Sequence, residues 1–156
     1  MKRICVQRGF TLIELMITIA VIAVIATLAA PSFGTMLNKQ NLNKSTHELV
    51  GILNKARSKA AIERREVTVN IGSIAVDTDS ALNWAPSGHS VLNSGNTTII
   101  FMPNGLVKDP TSTPATVIAS DTSFVICDHE TDSQASKTVS ISRMGTVQRV
   151  IDGDCV

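Results

Sequence analysis

Tyrosine is absent from these 156 residues, tryptophan occurs once and phenylalanine four times, so aromatics make up only 3% of the chain. The 44% apolar content is therefore almost wholly aliphatic, and a mean hydropathy of +0.20 is high for a small soluble domain. No glycine-rich phosphate loop occurs, which removes a nucleotide-binding reading. There is no internal repeat. Of three cysteines, Cys5 stands near the N-terminus, and Cys127 and Cys155 fall short of the four ligands a structural zinc site needs. The run Cys127-Asp128-His129 has the residue types of a ligand set or nucleophile. His47, however, falls in a helical pattern and His89 in a loop, and no orienting third group accompanies it. No enzyme activity, cofactor or metal is expected.

Charge is absent from residues 15–30, LMITIAVIAVIATLAA. With its flanks this run reaches roughly 20 residues, the length of a bilayer-spanning helix. It is apolar all round and not striped, which argues against a buried core helix. A secretory signal peptide has a shorter core and a small-x-small cleavage site. Here Ala29-Ala30 is followed by Pro31, a poor residue just past a scissile bond. Lys2, Arg3 and Arg8 precede the run and hold the N-terminus in the cytoplasm by the positive-inside tendency, so the rest of the chain emerges on the other side. One acid breaks the pattern. Glu14 at the head of the span costs about 2.5–3.5 kcal/mol on insertion scales, less near an interface. No cation stands within one turn of it, so its partner is expected in another chain.

The stretch Arg8-Gly9-Phe10-Thr11-Leu12-Ile13-Glu14-Leu15-Met16 resembles the cleavage and methylation motif of type IV prepilins and type II secretion pseudopilins. The resemblance implies a prepilin peptidase that cuts after Gly9 and methylates the new N-terminal Phe10. It also implies that Glu14, fifth in the mature chain, neutralises the Phe10 amine of a neighbouring subunit during assembly. Such a pair removes two desolvation penalties together.

Beyond the span the charge divides. Residues 39–65 hold seven bases and two acids, net +5; residues 66–156 hold four bases and ten acids, net −6. The split points to packing of one segment on the other, or between copies. Leu42, Thr46, Leu49, Leu53, Ala56 and Ala60 recur every three or four residues and form one helical seam, widened by Val50 and Ile52. Pro31 predicts a kink or local break in the preceding helix. The cluster Lys55, Arg57, Lys59, Arg64 and Arg65 falls late in the helix, where cations suit the negative end of its dipole.

From residue 66 the pattern turns to strands, expected at 66–71, 97–101, 116–118, 123–127, 138–142 and 146–151. Asn104-Gly105 reads as a turn, and residues 77–94 as a long irregular loop. Cys127 and Cys155 form a disulfide if this part lies outside the cytoplasm and remain thiols if it does not; the basic leader favours the first.

The order Glu48-Leu49-Val50, Ala56-Arg57-Ser58, Ala61, Val67-Thr68-Val69, Ile100-Phe101, Gly105, Phe124-Val125-Ile126-Cys127, Val139-Ser140-Ile141-Ser142, Gly145 and Cys155 is similar to the FimT/FimU and GspH minor-pilin group. The fold that follows is α+β and pilin-like, a long N-terminal helix whose second half packs on a small antiparallel sheet. Four segments are expected: residues 1–9 a leader, 10–33 a transmembrane and assembly helix, 34–65 an amphipathic half, and 66–156 a β domain. The expected function is that of a minor pilin in type IV pilus assembly, with motility, adhesion or DNA uptake as outputs. It would be stored in the inner membrane with its C-terminal domain periplasmic, and its partners are the peptidase and other pilins. A pseudopilin of a type II secretion system and a DNA receptor of a competence pilus are the alternatives. FimT-like pilins implicated in transformation carry a Gly-Arg-x-Arg element, but here Gly145 is followed by Thr146 and Gln148 where the arginines would stand. Arg143, Arg149 and Lys137 are the remaining candidate DNA contacts, too few for tight phosphate binding.

Overall fold

The computed structural model describes residues 10–94, 98–111, 116–128 and 135–155, the side chains at 28–32 and 94 excepted. The leader with Gly9 and Cys5 lies outside the described residues, as does His129. The chain divides into two compact units, residues 1–36 and 37–156.

Helix α1, Leu12–Glu63, runs across the division. It stays helical through Pro31, so the local break that Pro31 predicts does not occur. In the first unit every described side chain from Phe10 to residue 27 is exposed, including Ile17, Ile19, Val21, Ile22, Val24 and Ile25. Among the described residues no helix is long and apolar enough to cross a membrane.

In the second unit the seam of α1 enters the core. Leu49, Leu53, Ala56 and Ala60 are fully buried, with Leu42 nearly so. Thr46 is buried as well, its hydroxyl donating to Leu42 O at 2.7 Å. Period-two alternation does the same for the strands. β1 (Val67–Ile71) turns Val67, Val69 and Ile71 inward, and β4 (Thr98–Phe101) turns in Ile99 and Phe101. β6 (Thr122–Asp128) contributes Phe124 and Ile126, and β7 (Ala135–Ile141) contributes Val139 and Ile141, to one continuous core.

Two sheets of four strands replace the single small sheet expected. With β2 at Ala81–Trp84 and β5 at Val107–Lys108, the first runs β2-β1-β4-β5. With β3 at Ser90–Ser94 and β8 at Ile151–Asp154, the second runs β3-β6-β7-β8. Pairing is antiparallel except between β1 and β2, where Thr68 faces Ala81 in parallel.

Both β2 and β3 lie in the stretch whose composition reads as a loop. β2 gains its place from β1: Gly72 N–H donates to Trp84 O at 2.7 Å, and the Asn70 amide donates to Asn83 Oδ1 at 3.1 Å. At 146–151 the expected strand is replaced by a turn and an isolated Ile141–Val147 bridge; pairing resumes only at β8. Residues 116–118 likewise reduce to a Lys108–Val117 bridge.

Candidate functional site

The head of α1 is built by one side chain. Thr11 precedes the first helical residue, and its Oγ1 accepts the Glu14 backbone N–H at 3.2 Å. This satisfies one of the four donors a helix N-terminus leaves unpaired. Glu14 lies in the first turn, where a carboxylate also meets the positive end of the helix dipole. That second role is legible as a Thr-x-x-Glu spacing, which charge considerations alone do not raise. Among the described residues no cation pairs with the Glu14 carboxylate, and Phe10 beside it is 76% exposed. Glu14 and Phe10 thus both lie at the helix start, and among the described residues neither has an ion pair.

The basic cluster of α1 is largely engaged within the second unit. Lys55 pairs with Asp77 at 3.7 Å and Lys59 with Glu63 at 3.8 Å. Arg65 donates to Glu63 Oε2 at 2.6 Å and to Asp79 O at 2.5 Å. Arg57 is half-buried, its Nε donating to Gly105 O at 3.4 Å. Helix α1 ends at Glu63 with no base in its last turn, so loop and neighbouring acids, more than the dipole, neutralise these cations. Exposed pairs of this kind add little stability, but they lower the positive potential a polyanion would meet.

The three candidate DNA contacts do not converge. Lys137 on β7 pairs with Asp152, its cross-strand partner on β8. Arg143 sits in a turn closed by Gly145 N–H donating to Ser142 O at 2.8 Å, and Arg149 follows the turn. Both arginines are exposed and lack an ion pair among the described residues. Asp121 guards the same turn, accepting from Gln148 Nε2 at 2.6 Å and from Arg143 N–H at 3.4 Å. A short duplex is therefore expected to bind weakly, and more weakly as salt rises. Thr146→Arg, on an exposed position, should strengthen binding and steepen the salt slope by about 0.9 per added phosphate contact. Gln148→Arg should do less, because Asp121 would capture the new guanidinium. Equal gains from the two variants would show that Asp121 does not neutralise this turn.

Cys127, buried on β6, is bonded to Cys155 just past β8, with Cα atoms 5.9 Å apart. The link joins β6 to the tail of a strand that is not its neighbour in the sheet. Removing it with Cys155→Ser should cost about 3 kcal/mol through the 28-residue separation it closes, read as a lower denaturant midpoint. No loss relative to the oxidised chain would remove its structural role. Asp128 next to it is buried with Oδ2 unpartnered, and among the described residues no three His, Cys, Asp or Glu side chains group to hold a metal.

A capped, apolar helix head followed by a helix-on-sheet domain defines the pilin-like class of subunit. The model of the prokaryotic N-terminal methylation motif matches residues 5–30, and that of the type II transport protein GspH matches residues 45–145. The chain belongs to the GspH family. Its fold is that of the crystal structure of the type IV minor pilin FimU of Pseudomonas aeruginosa, with a TM-score of 0.52 at 18% identity over 78% of this chain and 99% of that one. Fimbrial protein Q of Moraxella bovis is 34% identical over 82 residues, 53% of this chain and 50% of that protein. A fimbrial protein of Pseudomonas aeruginosa is 36% identical over 61 residues, 39% of each chain. The chain thus spans about half, or less, of the length of these curated relatives.

Proposed function

We propose that this chain is a minor subunit of a type IV pilus. On this reading it is held in the inner membrane by α1 with its β domain in the periplasm. Prepilin peptidase cuts it after Gly9 and methylates Phe10, and it then joins other pilins in the filament. The observation that supports this best is the first unit. Its described side chains are mostly aliphatic and all exposed, and among the described residues its one acid, Glu14, has no cation, beside the residue that cleavage would turn into an amine. Lipid or neighbouring helices satisfy such a surface, and water does not.

The family description, which speaks of type II transport, favours one second reading, a pseudopilin of a secretion system. The disulfide and the FimU-like fold lean toward the pilus. Intact-mass analysis of sheared pili separates the two. The expected result is this chain shortened by its first nine residues, carrying one methyl group and an intact disulfide. Recovery only with secretion machinery, and never in sheared pili, would overturn the pilus reading in favour of the pseudopilin.

A further inference from the structure

Several of the family-like residues have no part in membrane storage or processing, and they meet at one place. Arg57, Ser58 and Ala61 on α1, with Asn104 and Gly105 in the β4–β5 turn, line a cavity of about 260 Å³. Its polar side chains present donors. Asn104 Oδ1 accepts the Leu106 N–H at 3.1 Å, which leaves the amide NH₂ as the free end. Among the described residues no carboxylate lines the cavity.

Two turns lie close to the Arg57 side chain. A Cβ on Gly105 would meet Arg57 Nε at 3.3 Å, and one on Gly145 would meet it at 3.2 Å. Glycine at both positions, each with positive φ, keeps a Cβ from crowding the side chain. Lys55 and Lys59, the neighbouring bases, have carboxylate partners, whereas Arg57 has none among the described residues and makes its one hydrogen bond through Nε. Its two terminal nitrogens keep the planar fork that matches a carboxylate.

We propose that this cavity is an oxyanion site that takes one acidic side chain of a neighbouring pilin-type subunit. The volume suits a single group and not a strand, and the net −6 of residues 66–156 opposes a polyanion such as DNA. An exposed carboxylate of the required kind occurs on this chain itself, at Asp154 on β8. The site stands on its own geometry; only the source of the carboxylate rests on the filament reading.

The test uses the full chain in detergent micelles and two labelled hexapeptides, one alternating Asp with Gly and one alternating Asn with Gly. The Asp peptide should bind about tenfold more tightly. Asn104→Asp should erase that preference, because it keeps the acceptor for Leu106 N–H but places a carboxylate in the cavity. Ser58→Asp, on the exposed helix face, gives the same reading if Asn104→Asp fails to fold. Arg57→Lys, which keeps charge without the fork, should retain only part of the preference.

Equal binding of the two peptides, or a preference that survives both aspartate variants, overturns the site. A short duplex that binds more tightly than the Asp peptide and is lost with Asn104→Asp overturns it in favour of nucleic acid. In cells, Asn104→Asp should be processed normally but fall several-fold in sheared filaments. Normal incorporation together with lost peptide binding overturns the neighbouring subunit as source. Absence of the unaltered chain from filaments is a separate result that counts against the filament reading alone.

Discussion

Glu14→Ala is expected to be processed normally and then to be largely missing from sheared filaments, whereas a bulky residue at Gly9 should leave the leader attached. The two effects separate because they act at different steps. A peptidase that cuts after a glycine has no room for a large side chain there. On the proposed reading Glu14 lies beyond the cut, and its carboxylate matters only once a neighbour's Phe10 amine is present. A buried acid without a cation costs several kcal/mol, and a buried amine without an anion costs as much, so deleting either leaves the other stranded.

The helix cap offers a competing explanation, and the structure allows it to be tested apart. Thr11 Oγ1 accepts from the Glu14 backbone N–H, not from its side chain, so Glu14→Ala keeps that bond. Thr11→Ala loses it, at about 1 kcal/mol, and should reduce incorporation far less than Glu14→Ala does. Comparable losses in the two variants would assign Glu14 to capping. Normal incorporation of Glu14→Ala would remove its assembly role.

Gly145→Ala should be among the most damaging single-methyl changes in the β domain, lowering stability by about 3 kcal/mol or more. Gly145 has φ of 71°, and a Cβ there would lie 2.2 Å from Gly105 O, a backbone atom with no freedom to retreat. The same methyl would press on Arg57 Nε and Phe101 Cε1, each at 3.2 Å. The Val107 N–H donates to Arg143 O at 3.2 Å and ties the two turns together, so relief would have to break that bond.

Gly72→Ala is the control. Its φ is 86°, but a Cβ there meets open space, so only backbone strain remains, about 1 kcal/mol. Denaturant midpoints of residues 37–156 would measure both. Equal losses would show that the close approach of the two turns contributes nothing.

The N-terminal methylation motif was legible because its residues, Gly9 to Glu14 among them, form a contiguous string. The seam from Leu42 to Ala60 was legible for a related reason. A helix facing a core must repeat every 3.6 residues, and all six seam positions are buried. Strong alternation likewise exposed β1, β4, β6 and β7. What failed lay where a strand gets its order from a partner. β8, Ile151–Asp154, is exposed along its length and has no alternation to read; its hydrogen bonds to β7 and the bond at Cys155 hold it. β2 depends on a parallel neighbour, and β3 on pairing with β6.

The sequence alone determined that this chain has an apolar helical stretch headed by a methylation-type motif, followed by an amphipathic helix and a β-rich domain. These properties reside in local runs of side chains and survive without a partner. Tertiary structure decided which charges remain available. Lys55, Lys59 and Arg65 meet acids, Lys137 meets Asp152, and Arg57 is enclosed by two glycine turns that lie 40 residues apart. Charge acts through space and falls off with distance, so a cation's role depends on the groups folding brings within a few ångströms, which no local pattern records.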